Sequence, residues 1–252
     1  MLRRLKRAAG AAPSPAPAPD PDALTTSPED RAILDAALPF TMTGPARLQA
    51  LVDAVRYCVR REIPGAFAEC GVWRGGSVLA MILTLQELGR SDRDIHLFDT
   101  FEGMTAPTAH DVSPVDPPAT ETWEAARQAG ERAWDGLFSP DVFNLEDVRR
   151  TILGTGYPPE RIHFVKGPVE DTLPDHPTGQ LALLRLDTDW YESTKAEMQH
   201  LYPKLVAGGV LIVDDYGHWE GARRAVEEHF DAHGDPLLLN RIDYTGRIGI
   251  KH

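Results

Sequence analysis

A chain of 252 residues with 42% hydrophobic side chains can bury a full core, which excludes global disorder. Its formal net charge is -12 and its folded part has no basic stripe, which argues against a nucleic-acid partner. No apolar run reaches the length of a membrane span, and no export signal opens the chain, so the reading is of a protein without a membrane partner.

Residues 1 to about 26 read as an Ala/Pro tail. Arg3, Arg4, Lys6 and Arg7 come first, then Pro13, Pro15, Pro17, Pro19 and Pro21 alternate with small or acidic residues. That pattern favours extended, solvated backbone, so the domain is expected over 27–252. The only cysteines, Cys58 and Cys70, fall on a helix face and a strand end. Both read as small core residues, a usage that suits a reducing cytoplasm.

Ser27-Pro28-Glu29-Asp30 has a capping serine, a proline at the first helical position and acids at the positive end of the dipole, so a helix starts here. A second helix starts near Pro45, with Leu48, Leu51, Val52, Val55, Cys58 and Val59 at helical spacing. Strands and helices then alternate. Strands are expected at 66–70, 95–98, 162–165, 181–186 and 210–213, and helices at about 76–88 and 220–233. Leu237–Leu239 and Arg247–Ile250 read as two final strands. The fold class is α/β, with a mostly parallel, doubly wound sheet. A long stretch, about 104–143, breaks the rhythm and reads as a lid insertion.

The first strand runs into Gly71-Val72-Trp73-Arg74-Gly75-Gly76-Ser77. Glycines there let the backbone turn tightly and approach a ligand, though a turn without a ligand would look the same. Glu69 is an acid inside the strand end, placed to bind the amino group of an amino-acid-bearing cofactor. Asp99 closes the second strand, the usual place for a carboxylate that accepts ribose hydroxyls. The spaced dinucleotide fingerprint and the Walker loop are both absent, and a sulfonium cofactor needs neither. Glu170 and Asp171 follow the third strand; one of them contacts adenine, or both simply open a helix.

Asp187 ends the fourth strand, and Asp214 and Asp215 end the fifth. Carboxylates converging on the ligand edge of a sheet repel one another, and a hard divalent cation such as Mg²⁺ relieves that repulsion. The alternatives are structural: Asp189 caps the next helix, and Asp215 caps a turn with Tyr216-Gly217. A cation at Asp187, Asp214 and Asp215 would acidify an acceptor hydroxyl and fix its oxygen for in-line attack on a methyl group. Asp187 doubles as base, with His218 and His110 as alternatives.

Taken together, Phe67–Gly76, Leu97–Met104, Leu186–Thr194 and Val213–Tyr216 resemble the macrocin-type O-methyltransferases of antibiotic biosynthesis. Thr41-Met42-Thr43-Gly44 and Arg47-Leu48 match that family's N-terminal segment. The resemblance implies a Rossmann-like class I methyltransferase fold, S-adenosylmethionine, and Mg²⁺ at Asp187, Asp214 and Asp215. It also implies a deoxysugar or glycoside hydroxyl as acceptor and a homo-oligomer whose N-terminal helices and lid cover the site. Thr41 and Met42 would then lie near the cofactor, with Gly71, Gly75 and Ser77 in its turn. Trp190 and Tyr191 are either walls of the acceptor pocket or core residues of a helix start. Two other readings stay open: the same chemistry on a phenol or catechol, and a non-catalytic protein that only binds S-adenosylmethionine.

Overall fold

The computed structural model describes residues 26–252, so the expected Ala/Pro tail lies outside the described residues, save Thr26. Two N-terminal helices, α1 (Pro28–Ala37) and α2 (Pro45–Arg60), precede β1 (Ala66–Cys70) and α3 (Gly76–Glu87). The chain continues through β2 (Ile95–Asp99), α4 (Ala119–Ala129), α5 (Asp135–Phe138), α6 (Leu145–Leu153), β3 (Ile162–Lys166) and α7 (Val169–Thr172). It ends with β4 (Leu181–Leu186), α8 (Tyr191–His200), β5 (Leu205–Val213), α9 (Glu220–His233), β6 (Asn240–Arg241) and β7 (Arg247–Ile250).

The strands form one sheet in the order β3-β2-β1-β4-β5-β7-β6. The five strands β1 to β5 pair in parallel, and β7 runs antiparallel to β5. The order reverses direction between β1 and β4, and the crevice at the carboxyl ends of those strands is where such sheets bind ligands. All of β1 and β4 is buried, because helices cover both faces. One core joins Ile33, Leu48, Val78 and Ile152 from α1, α2, α3 and α6; a second joins Val169, Met198 and Phe230 from α7, α8 and α9, and a small third holds Ala119, Trp190, Trp219 and Ala222. Ser27 caps α1 through the Asp30 N–H at 3.0 Å, as its sequence suggests. Cys58 and Cys70 are buried and unbridged. No helix among the described residues is long and apolar enough to cross a membrane.

The C-terminal strands differ from the sequence reading. Residues 237–239 form no strand; Asn240 and Arg241 pair with β7 instead. Leu237 packs onto Gly249, laying this segment over the sheet rather than beside it. The fifth strand also starts earlier, at Leu205, through a glycine pair whose loose periodicity hides it. The lid is not structureless, since α4 and α5 fall inside it.

Candidate active site

A cavity of about 340 Å³ opens at the carboxyl ends of β1 and β4, within the range of small-molecule sites. It is lined by Thr41, Met42, Glu69, Gly71, Ser77, Asp99, Glu170, Asp187, Asp214, Asp215 and His218, all named as site residues from sequence. Gly75 and Asp171 do not line it. Gly75 instead sits against Val148 and Ile152 as the N-cap of α3, and Asp171 faces solvent on α7. Of the Glu170–Asp171 pair, then, only Glu170 reaches the cavity.

One half of the cavity is built by the glycine turn. Gly71 has φ +81, and a Cβ there would run into the Asp187 carbonyl. Only glycine lets the turn lie on the end of β4. Asp99 anchors the same turn: its Oδ2 accepts the Val72 and Trp73 N–H groups at 2.6 and 3.1 Å, and its Oδ1 accepts the Phe101 N–H at 2.6 Å. Burial raises its pKa against those donors. Asp99 therefore organises the backbone as well as facing the cavity. A Cβ on Gly76 would meet Phe40 at 2.7 Å, so glycine there lets the N-terminal segment cross the helix start and bring Thr41 to the cavity.

Arg185, which the sequence reading assigned no role, joins the two halves. It stands opposite Glu69 across β1 and β4 and is 2% exposed. Its Nη1 donates to Glu69 Oε1 at 2.5 Å and to Asp187 Oδ2 at 2.6 Å; its Nη2 donates to Asp214 Oδ1 at 2.5 Å. Arg47 pairs with the other Asp214 oxygen and, through Nε at 3.0 Å, with Asp243. Burial pushes the Glu69 carboxyl up to about 7, against the pull of Arg185. Its Oε2 is buried without a hydrogen-bond partner, as is Oε2 of Glu170. A buried carboxylate oxygen is costly unless it accepts a hydrogen bond, and the Ser77 side chain also holds the Glu69 pKa down.

Asp187, Asp214 and Asp215 converge as expected: one oxygen of each lies within 4.8 Å of the others. Burial first, then Asp214 and Asp189, hold Asp187 well above the usual carboxylate range, while Arg185 pulls it down. Asp215 is raised by burial and by Asp189, Asp187 and Asp214. Three hard oxygen donors under mutual repulsion suit Mg²⁺.

Asp189 does not cap α8. It sits at φ +67, and its Oδ1 accepts the Trp219 indole N–H at 2.8 Å. The cap comes from the lid, where Asp111 Oδ1 accepts the Tyr191 N–H at 2.7 Å. The Asp215 side chain takes the Asp189 N–H at 3.3 Å rather than capping its own turn.

The other half is aromatic. Trp190 packs against Trp134 at 5.6 Å and Trp219 at 5.0 Å between ring centroids. Its indole N–H donates to Thr105 O at 3.0 Å, tying the lid to this wall. Trp190 lines the cavity but Tyr191 does not; Tyr191 turns outward to Glu228, 2.6 Å from its hydroxyl. His110 leaves with it, against the Tyr191 ring and Arg224. His110 is thus no candidate base. His218 stays at the cavity, with Asp116 Oδ2 at 2.9 Å from Nε2 and the Tyr244 hydroxyl 2.8 Å from Nδ1.

Residues 21–248 match the family described as Macrocin-O-methyltransferase (TylF). The chain belongs to this family. It is an S-adenosylmethionine-dependent O-methyltransferase, as the motifs suggested. It is 35% identical over 206 residues to the 8-demethyl-8-(2,3-dimethoxy-alpha-L-rhamnosyl)-tetracenomycin-C 4'-O-methyltransferase of Streptomyces olivaceus, covering 82% of this chain and 73% of that one. The O-methyltransferase NovP superposes with a TM-score of 0.69 at 32% identity, covering 84% of this chain and 82% of that one. The calicheamicin-pathway TDP-rhamnose 3'-O-methyltransferase CalS11 shares the fold, with a TM-score of 0.54 at 22% identity over 90% of this chain and 89% of that one.

Proposed function

We propose that this macrocin-family enzyme transfers the sulfonium methyl of S-adenosylmethionine to a hydroxyl of a sugar on a glycosylated natural product, with Mg²⁺ at Asp187, Asp214 and Asp215. The single observation that carries the reading is the convergence of those three carboxylates in a cavity that also holds the unpartnered oxygens of Glu69 and Glu170 and a tryptophan wall. Relatives that act on glycosides, such as the rhamnosyl-tetracenomycin enzyme, support the acceptor class.

In this reading the free oxygen of Glu69 takes the donor's ammonium. Asp99 faces the ribose, and Glu170 offers its free oxygen to the adenine side. Bound Mg²⁺ supplies Lewis acidity that lowers the pKa of the acceptor hydroxyl. The tryptophan wall orients the sugar ring and excludes water. Asp187, at the edge of the acid cluster and hydrogen-bonded to Arg185, takes the hydroxyl proton. The new bond joins oxygen to the methyl carbon; the carbon–sulfur bond breaks and its electron pair stays on sulfur. His218, held by Asp116 and Tyr244, is the other group near enough to accept a proton.

Calorimetric titration with S-adenosylhomocysteine, followed by methyl transfer to glycosides in Mg²⁺ and in chelator, tests this. Cofactor binding with chelator-sensitive methylation of a glycoside is expected. A chain that binds the cofactor but methylates only catechols, which the tryptophan wall also suits, would move the acceptor to phenols.

A further inference from the structure

The opposite edge of the sheet carries a second cavity, of about 740 Å³, at the amino ends of β1, β2 and β3. Three histidines line it, and methyl transfer uses none of them. His96 is the second residue of β2 and stands opposite His163 across the parallel pair with β3. His176 comes from the connection between α7 and β4. Its N–H donates to Leu173 O at 3.3 Å, and its carbonyl accepts the Thr178 N–H at 3.0 Å and Lys204 Nζ at 3.2 Å. Its ring stands edge-on to Phe98, 5.0 Å between centroids. Strands and a bonded loop thus fix all three rings.

His96 Nδ1 and His176 Nε2 face each other at 3.2 Å, the long end of the hydrogen-bond range. Two nitrogens bound to one zinc ion at about 2.0–2.1 Å stand about 3.3 Å apart at the tetrahedral angle. The pair therefore already has the spacing of two ligands. Burial, then His163 and His176, holds the His96 imidazole down to about 4. Burial, then Lys204 and His163, lowers His176 as well. Both rings are neutral at neutral pH, the form in which imidazole binds a metal. The proton between them has only to move to the outer nitrogen of the ring that donates it. His163 flanks the pair: its ring lies over His96 at 4.6 Å and 20°, and its Nε2 donates to Asp94 Oδ1 at 2.9 Å. Among the described residues only Asp187, Asp214 and Asp215 bring three ligand atoms together, so this second place offers two nitrogens and an open cavity side for water.

Charge selects the kind of cation. The one carboxylate beside the rings, Asp94, is taken by His163 and by Arg161 at 2.9 Å. Lys204 is near enough to disfavour positive charge on both His96 and His176. A hard ion such as Mg²⁺, held by charged oxygens, finds nothing here, whereas a borderline ion of the zinc class binds through imidazole lone pairs. We infer that His96 and His176 form a two-nitrogen site for a divalent cation of the zinc class, on the edge of the sheet opposite the methyl-transfer cavity. The cation ties β2 to the connection between α7 and β4. It stabilises the folded chain, because the two rings lie 80 positions apart in sequence and meet only when the chain is folded.

The test titrates Zn²⁺ calorimetrically into the full chain in saturating Mg²⁺ and S-adenosylhomocysteine, with thermal melts alongside. One Zn²⁺ per chain should bind that Mg²⁺ does not displace, and the melting midpoint should rise with it. His176→Gln should weaken this uptake at least about tenfold, remove the rise in midpoint and leave S-adenosylhomocysteine affinity unchanged. His96→Phe should do the same; because His96 is 6% exposed, the half-buried His176 carries the test if that variant does not fold. His229 and His233, stacked at 4.2 Å one turn apart on α9, are another pair of imidazoles a zinc ion meets, and His229→Gln should leave the titration unchanged. Identical curves for the wild type and His176→Gln overturn the site and leave the two rings joined by a hydrogen bond only. Loss of uptake in His229→Gln alone assigns the ion to α9, and displacement by Mg²⁺ assigns it to the carboxylates; either result overturns the inference.

Discussion

Glu69 and Arg185 face each other on adjacent strands, and the guanidinium that holds Glu69 also holds Asp187 and Asp214. A buried cation shared by three carboxylates cannot be removed without stranding them. Arg185→Met should lower unfolding free energy by about 3–5 kcal/mol in urea titration. Arg185→Lys keeps the charge but loses the fork, so it should fold better and still bind S-adenosylhomocysteine weakly. A methionine variant with wild-type stability and cofactor affinity would show that the carboxylates do not need this partner.

The proposed mechanism gives the hydroxyl proton to Asp187. Asp187→Ala should cut kcat by about 10²- to 10⁴-fold while leaving S-adenosylhomocysteine binding largely intact. Full activity of the variant in Mg²⁺ would remove both its metal and its base role.

The pH dependence of cofactor binding should report Glu69. Its carboxyl is pushed up to about 7, chiefly by burial, from 4.5 when free. Between those values the fold holds a proton that the unfolded chain has lost, so this group's contribution to stability falls as pH rises through the window. Binding an ammonium needs the ionised form. S-adenosylhomocysteine affinity should therefore rise about tenfold from about pH 6 to about pH 8 without divalent ions. Glu69→Gln should bind more weakly and with a flat profile; a slope that survives in the variant would assign it to another group.

Gly71→Ala places a Cβ against the Asp187 carbonyl at a backbone angle alanine disfavours. A loss of about 1–3 kcal/mol in stability is expected. The methyl-transfer rate should fall with it, because Asp187 must shift. An alanine variant that matches the wild type in both would show the turn to be loose.

The lid is latched by Asp111. Its Oδ2 accepts the Thr108 N–H and hydroxyl at 2.6 and 2.9 Å, while Oδ1 caps α8. Asp111→Ala should cost about 1–2 kcal/mol as a lost cap. Amide exchange across residues 105–118 should quicken and acceptor KM should rise. Unchanged exchange there would place the latch elsewhere.

The strands and carboxylates were legible because each leaves a local mark. An apolar run ending in an acid marks β2, β4 and β5, and glycines after β1 mark the turn. Arg185 left no such mark: a charged residue within Leu181–Leu186 looks like a blemish until the register sets it against Glu69. The bond from Tyr191 to Asp111 is hidden for the same reason, since it joins positions far apart in the chain. The lid helices were missed because α4 buries only Ala119 among its residues, so apolar periodicity is faint. Residues 237–239 misled by composition alone, as three leucines suit a packed loop as well as a strand.

The seat of Gly71 on the Asp187 carbonyl ties the glycine turn to a carboxylate of the acid cluster. In the proposed arrangement the distance the methyl group travels is thus written into the sheet, whereas Met104, Thr105, Trp134, Leu137 and Phe138, which line the rest of the cavity, all come from the inserted segment. Exchanging that segment would change which molecule is methylated and leave the transfer itself in place. A scaffold divided in this way can diversify its substrates without relearning its reaction.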